Sequence, residues 1–295
     1  MSVQQKIDLA IRTFGSVSIQ DFVEISNFSK EDGFYNSEEI QKIGNKGHFI
    51  TSPEISSLFG RCLANQFLSV FPEITKVHLI EFGPGNGYLT YDISHYLKSK
   101  NIEIQKISML EKSDYFTKEI KKKIPTAEVF DEFQKININP DITTFIYSNE
   151  FFDAFGSKQY IHQNKKFNEI KINKINNEYK LVYEENFIST YLKEKYSNYD
   201  FEDKDILEHS IFIDNFLIQL KEKLKNNFFF SATDYGYLTL PKKSTLRLIS
   251  NHQKVNLFEK FENVDYSFGV NFEYIKDNFI NFKPKVIYQK ELFKN

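Results

Sequence analysis

The stretch KVHLIEFGPGNG, residues 76–87, decides the fold. Its first seven residues are mostly apolar and end at glycines, which is the pattern of a buried parallel strand. Glycines alternate at positions 83, 85 and 87, and a helical pattern follows directly over residues 88–98. Glycines between a strand and a helix let the backbone turn sharply and let a ligand approach without interference from a Cβ atom. The stretch therefore predicts a ligand-binding turn at the edge of a parallel sheet.

The segments around this stretch repeat the rhythm of strand and helix. Further strands are predicted at 104–110, 127–130, 143–147 and 228–232, and further helices at 3–14, from Pro53 onward and at 114–123. Such alternation predicts an α/β fold with a doubly wound, mostly parallel sheet.

The pattern changes after residue 156. Residues 157–200 alternate polar and apolar with asparagine turns, which predicts antiparallel hairpins. A helix is predicted from about residue 205 to 225, and a last strand at 285–292.

These changes of pattern divide the chain into four segments. We expect an N-terminal helical extension with a cofactor-covering loop at 1–70, the first part of the core at 71–156, an inserted α+β substrate lobe at 157–226, and the rest of the core at 227–295. Residues 30–53 are rich in Gly, Asn and Ser and lack a sustained period. Structureless stretches of that length are uncommon in domains and are often functional.

Composition excludes several classes of function. The chain has 295 residues with 38 Lys and Arg against 40 Asp and Glu, so a nucleic-acid partner is not expected. No apolar run approaches the ~18 residues of a membrane helix, so no membrane insertion is expected. A single cysteine, Cys62, and histidines without metal-ligand spacing predict neither disulfides nor a metal site. No signal or transit peptide is visible, which favours a cytoplasmic location. The sequence does not predict the oligomeric state.

The spacing of the glycines narrows the class of ligand. A dinucleotide-binding turn would place its third glycine at position 88, where Tyr88 stands. Glu81 precedes the first glycine by two residues and would favour the cationic end of S-adenosylmethionine (SAM) while repelling a phosphate. Glu111 ends the second strand, where an acid accepts ribose hydroxyls. The arrangement is similar to the first motif of class I SAM methyltransferases, with a ligand-free tight loop as the alternative.

Three further motifs surround the glycine loop in a fixed order. They are GHFITSPEIS at 47–56, SNEFFDA at 148–154 and ATDYG at 232–236, the last followed by Arg247 and His252. Together the four motifs resemble the MidA-like family, whose mitochondrial members are complex I assembly-factor arginine methyltransferases. The resemblance covers about residues 5–280. It implies a Rossmann-like class I SAM-methyltransferase fold, SAM as the cofactor, and a protein substrate with arginine as the favoured acceptor.

Fold and resemblance together give the candidate site residues. The catalytic candidates are Glu150 and Asp153, a carboxylate pair suited to clamping a guanidinium. The cofactor-binding candidates are Glu81, Gly83, Gly85, Gly87, Glu111, Asp131, Asn149, Thr51, Pro53 and Glu54. The substrate candidates are Phe152, Asp234, Arg247 and His252.

Several of these candidates have a plainer alternative. Glu150 could cap a helix with Asp153 in its first turn, Thr51 could begin an ordinary helix, Asp131 could be a surface acid, and His252 a structural histidine.

Three departures from the family's pattern bear on catalysis. The family usually has Gly-Asp-Phe where this chain has His48, an arginine in place of Asn86, and an acid in place of Asn271. These changes keep open a catalytically degenerate assembly chaperone. A small-molecule SAM methyltransferase is a further alternative, whereas Tyr88 argues against a nicotinamide-dependent oxidoreductase.

Overall fold

The computed structural model describes residues 1–37, 51–185, 190–224 and 227–293. By its internal contacts the chain divides into two units, each built from three separate segments. The first unit comprises Met1–Ser37, Asp153–Asp214 and Gly236–Glu273, and the second Glu38–Phe152, Asn215–Tyr235 and Tyr274–Asn295. These ranges differ from the four predicted segments, since residues 1–37 group with most of the inserted lobe, residues 215–226 of that lobe group with the parallel sheet, and the last segment is shared between the units.

In the described residues the α-helices are α1 (Val3–Phe14), α2 (Ile19–Phe28), α3 (Ser52–Ile55), α4 (Leu58–Val70), α5 (Tyr88–Ser99), α6 (Asp114–Lys123), α7 (Thr190–Lys195), α8 (Ile211–Lys223), α9 (Phe272–Asn278) and α10 (Gln289–Leu292). The strands are β1 (Val17–Ser18), β2 (Lys76–Phe82), β3 (Glu103–Leu110), β4 (Glu128–Phe130), β5 (Thr144–Asn149), β6 (Lys158–Gln163), β7 (Lys166–Ile175), β8 (Glu178–Glu185), β9 (Ile206–His209), β10 (Phe228–Thr233), β11 (Gly236–Tyr237), β12 (Arg247–Ser250), β13 (Gln253–Lys254), β14 (Asp265–Ser267) and β15 (Val270–Asn271). None of these helices is both long and apolar enough to cross a membrane.

The second unit contains the predicted parallel sheet. Its strand order is β10-β5-β2-β3-β4, and each neighbouring pair is parallel. The central strand β2 is buried except at Lys76, as expected for a strand covered on both faces. On one face, Phe67 of α4 stacks on Phe145 of β5 with 4.6 Å between ring centroids. The α/β fold class with a doubly wound parallel sheet is therefore confirmed.

The first unit contains an antiparallel sheet. Its order is β1-β7-β6-β9, with β8 paired to β7. Two hairpin turns lie at Asn164–Lys165 and Asn176–Asn177, where all four residues have φ between 51° and 63°. Two successive left-handed residues are the signature of a tight two-residue hairpin turn. The hairpins predicted from the asparagines are confirmed, and so is the amphipathic helix at 3–14, which is α1.

Two predicted elements are wrong. The predicted helix at 205–225 begins only at Ile211, because Ile206–His209 form β9 and pair with β6. The predicted strand at 285–292 does not form, and α10 occupies its end. Val286, Ile287 and Tyr288 are exposed, and among the described residues no strand pairs with them, so their β-forming tendency finds no sheet edge.

Candidate cofactor and active site

The glycine loop, residues 83–87, connects β2 to α5 at the carboxyl edge of the parallel sheet. Gly83, Gly85 and Gly87 have φ of 62°, 51° and 74°, in the left-handed region that residues with a Cβ atom avoid. A Cβ atom on Gly83 would lie only 2.9 Å from the ring of Phe151. The N–H of Gly87 donates to the carbonyl of Pro84 at 2.8 Å, which closes the turn before α5. The turn predicted from the sequence thus depends on its glycines.

Glu81, near the end of β2, is buried beside this loop. Its Oε2 accepts hydrogen bonds from the backbone N–H of Thr90, at 3.2 Å, and from the Thr90 hydroxyl, at 2.5 Å. The Thr90 hydroxyl also lies 2.6 Å from the hydroxyl of Tyr147 on β5. Burial raises the pKa of Glu81 to about 8, the Thr90 hydrogen bonds oppose this shift, and the charge of Glu111 adds to it. Thr90 and Tyr147 are site residues that the sequence analysis missed.

Glu111 reaches the same loop from the end of the neighbouring strand β3. Its carboxylate accepts the N–H of Ser113 at 2.9 Å, and the N–H groups of Lys112 and Gly85 also stabilise it. Burial raises the pKa of Glu111 to about 7, against the lowering effect of these hydrogen bonds. The two predicted acids therefore flank the glycine loop from adjacent parallel strands.

The segment predicted to cover the cofactor contacts the glycine loop. Asn86 donates from Nδ2 to Oε1 of Glu54 in α3 at 2.9 Å. Thr51 occupies the N-cap position of α3 without a side-chain cap bond, and Pro53 lies in the first turn. Asn86, where the family usually has arginine, thus links the glycine loop to α3. Residues 38–50 of the predicted loop, including His48, lie outside the described residues.

The chain after β5 is held by hydrogen bonds to the end of β10. Asp234 accepts the N–H groups of Phe151 and Phe152 at 3.1 and 2.9 Å, and Glu150 donates its N–H to Thr233 at 2.9 Å. Asn149 donates from Nδ2 to the Glu150 carboxylate at 3.4 Å. Asp234, predicted as a substrate residue, therefore anchors this segment, and Phe152 is 1% exposed.

Glu150 itself has a left-handed backbone, with φ of 51°. Such a conformation costs a residue with a Cβ atom about 1–2 kcal/mol, and strain of this kind concentrates at functional sites. No helix follows Glu150 before β6, so the alternative in which it caps a helix, with Asp153 in the first turn, is wrong.

The remaining predicted residues lie elsewhere. Asp131 follows β4 with an exposed side chain paired to Lys135 at 2.7 Å, as the surface-acid alternative expects. Asp153, Arg247 and His252 belong to the first unit. There the Asp153 carbonyl accepts the N–H of Phe268 at 2.8 Å, Arg247 begins β12, and His252 is exposed in the turn before β13. Among the described residues, no three His, Cys, Asp or Glu side chains are grouped to hold a metal.

The residues around the glycine loop fit SAM better than a pyrophosphate. SAM presents an ammonium, a sulfonium and a ribose diol, all of which carboxylates can bind, whereas Glu81 and Glu111 in their ionised forms would repel a phosphate. The glycine turn and both acids lie at the carboxyl edge of the parallel sheet, where open α/β folds bind their ligands.

Comparison with known families agrees with this geometry. The model of the family described as "Putative S-adenosyl-L-methionine-dependent methyltransferase" matches residues 62–283. The match covers most of the chain, so the chain belongs to this family of SAM-dependent methyltransferases, and SAM is the family's cofactor. The resemblance inferred from the four motifs is confirmed.

Individual relatives are similar in sequence to this chain over shorter segments. "Protein arginine methyltransferase NDUFAF7 homolog, mitochondrial" of Caenorhabditis elegans is 26% identical over 190 residues, which are 55% of this chain and 44% of that protein. Its Homo sapiens counterpart is 35% identical over 86 residues, 28% of this chain and 19% of that protein. The chain thus matches less than half the length of these relatives. Both names say mitochondrial, and the cytoplasmic location expected for this chain stays a prediction.

Solved structures extend the similarity to the whole fold. A crystal structure from Burkholderia thailandensis with bound S-adenosyl-homocysteine (SAH) has a TM-score of 0.79 to this chain at 16% identity. The alignment covers 95% of this chain and 76% of the other. At this identity the similarity concerns the fold, which is that of a SAM methyltransferase.

Proposed function

We propose that this chain transfers a methyl group from SAM to a side-chain nitrogen of arginine in a protein partner. One observation carries the proposal, which is that three carboxylates lie at the carboxyl ends of neighbouring strands of the parallel sheet. Glu81 on β2 and Glu111 after β3 flank the glycine loop, and Glu150 follows β5, which pairs with the opposite edge of β2. The names of the relatives, which are protein arginine methyltransferases, support arginine as the acceptor.

The residues of the second unit divide the binding task between them. Glu81 attracts the cationic end of the cofactor, Glu111 accepts the ribose hydroxyls, and the glycine loop lets the backbone approach. SAM, when bound, supplies an electrophilic methyl group on its sulfonium. The protein's main tasks are then to align the acceptor nitrogen and exclude water, and alignment of this kind contributes ~7–11 kcal/mol.

Glu150 is the residue we assign to the acceptor. A carboxylate binds a guanidinium through charge-assisted hydrogen bonds and stabilises the positive charge on the nitrogen that is being methylated. The bonds of the neighbouring segment to Asp234 and Thr233 hold the Glu150 backbone in its left-handed conformation. A carboxylate carried on a fixed backbone needs less reorganisation when the acceptor arrives, and electrostatic stabilisation depends on such preorganisation.

The first test is calorimetric titration of the protein with SAM, with a Gly85→Val variant as control. We expect micromolar binding that the variant loses, because Gly85 has a left-handed φ of 51° that valine avoids. A folded protein that does not bind SAM would refute the proposal and favour the assembly-chaperone alternative.

The second test separates catalysis from cofactor binding. Glu150→Gln keeps the size of the side chain but removes its charge, so methyl transfer to arginine-containing proteins should fall ~100-fold or more while SAM affinity is unchanged. Glu103→Gln, at the exposed amino end of β3, is the matched control. Full activity of Glu150→Gln would remove Glu150 from the proposal, and transfer to small amines alone would favour the small-molecule methyltransferase.

A further inference from the structure

A buried line of hydroxyl groups leads from the interior of the sheet to Glu81. The Tyr147 hydroxyl lies 2.6 Å from the Thr90 hydroxyl, which lies 2.5 Å from Oε2 of Glu81. The three side chains come from β5, α5 and β2, and none is more than 2% exposed. In the second unit these groups therefore meet without solvent between them.

The donor and acceptor in each of these hydrogen bonds follow from the fact that each hydroxyl has only one proton to donate. An ionised Glu81 can only accept, so the single hydroxyl proton of Thr90 must point at Oε2. The oxygen of Thr90 then accepts the proton of Tyr147. Burial and the charge of Glu81 raise the pKa of Tyr147 well above its usual value, so Tyr147 keeps that proton.

We propose that Thr90 and Tyr147 are positioning residues that stabilise the ionised form of Glu81 and thereby set the affinity of the site for the cationic end of SAM. The inference rests on the proposed cofactor site and deepens it. A hydroxyl that itself accepts a hydrogen bond is a stronger donor, so Tyr147 acts on the carboxylate through Thr90.

Burial and one neighbouring charge oppose the ionisation of Glu81. Burial disfavours the charged carboxylate, and Glu111, which follows β3, repels it. The backbone N–H of Thr90, in the first turn of α5, favours the charge together with the hydroxyl. Because the opposing effects raise the pKa of Glu81 to about 8, loss of one supporting hydrogen bond changes the ionised fraction near neutral pH.

The experiment measures SAH affinity by calorimetry from pH 6 to pH 9 for the wild type, Tyr147→Phe and Thr90→Val. We expect wild-type binding to strengthen as pH rises through the titrations of Glu111, with a pKa of about 7, and Glu81, with a pKa of about 8. The upper midpoint, that of Glu81, is the one compared between the proteins. In Tyr147→Phe the midpoint should move up by ~0.5–1 pH unit, the equivalent of one neutral hydrogen bond, and binding at pH 7 should weaken ~3–10-fold. Thr90→Val removes the direct hydroxyl donor and should move the midpoint further.

Tyr266→Phe is the matched control, because Tyr266 is as fully buried as Tyr147 but lies in the first unit, with its hydroxyl bonded to the Lys260 carbonyl. The midpoint of its SAH affinity against pH should equal that of the wild type. Midpoints that agree in all four proteins, with SAH still bound, would overturn the positioning role and leave the cofactor site intact. A folded wild type that fails to bind SAH would overturn both.

Discussion

The buried His78 makes the stability of the second unit depend on pH in a way that can be calculated. Its ring, on β2, is 1% exposed, and Nε2 lies 2.9 Å from the Ser108 hydroxyl on β3. Burial, assisted by the charge of Lys106, lowers the pKa of His78 from 6.5 to about 4. Since unfolded chains bind the proton near pH 6.5, this stability is complete above pH 6.5 and is lost as the pH falls to 4. The loss amounts to about 3 kcal/mol.

The assay compares the wild type with His78→Gln, whose amide can still reach Ser108 but does not titrate. We expect the unfolding free energy of the wild type, measured by urea denaturation, to fall by about 3 kcal/mol more than that of the variant between pH 7 and pH 4. Subtracting the two curves removes every other titrating group. His95→Gln, on the exposed face of α5, controls for the loss of a histidine. Parallel curves for the wild type and His78→Gln would refute the reasoning.

Three further outcomes test the packing of the second unit. Gly83→Ala should weaken SAM binding ~10-fold or more, because the left-handed backbone costs about 1–2 kcal/mol and the new Cβ atom meets the ring of Phe151; calorimetric titration measures this, and wild-type affinity would contradict it. Phe67→Ala should lower the unfolding free energy by about 3–5 kcal/mol in urea, since its ring is fully buried and stacked on β5. Lys223→Met should speed amide hydrogen exchange in the turn after β4, where the Lys223 ammonium binds three carbonyl oxygens at 2.6–3.1 Å; unchanged exchange there would mean that these bonds do not hold the turn.

The parallel sheet was predictable because its central strands, β2 and β5, are buried on both faces. Such strands appear in the sequence as short apolar runs, and β2, β3, β5 and β10 were all placed to within two residues. The strand β9 was not predictable. The apolar positions of β9 continue the helical spacing of α8, so the sequence pattern does not separate the two elements. Only the hydrogen bonds to β6, which lies far away in the chain, make these residues a strand. Local pattern carries no information on that partner.

The candidate site was predictable where a motif carries it. The glycines, Glu81 and Glu111 have positions fixed by the turn between strand and helix. Thr90 and Tyr147 were missed because each side chain looks ordinary in its own element. A signal was present nonetheless, since a tyrosine in a fully buried strand needs a partner for its hydroxyl. Which partner it finds depends on how α5 packs on the sheet.

The interleaving of the two units fixes an order of events during synthesis. Strand β5 pairs with β10 in register, from Thr144 with Phe228 to Asn149 with Thr233, yet the longest segment of the first unit, Asp153–Asp214, is encoded between them. At 5–20 residues per second the ribosome takes on the order of ten seconds to make the intervening chain. Throughout that time the β5 edge of the nascent sheet has no partner strand, and unpaired edges are the places where chains aggregate. Slowed translation between residues 150 and 230 should therefore lower the yield of folded protein, whereas the same delay after residue 235 should not.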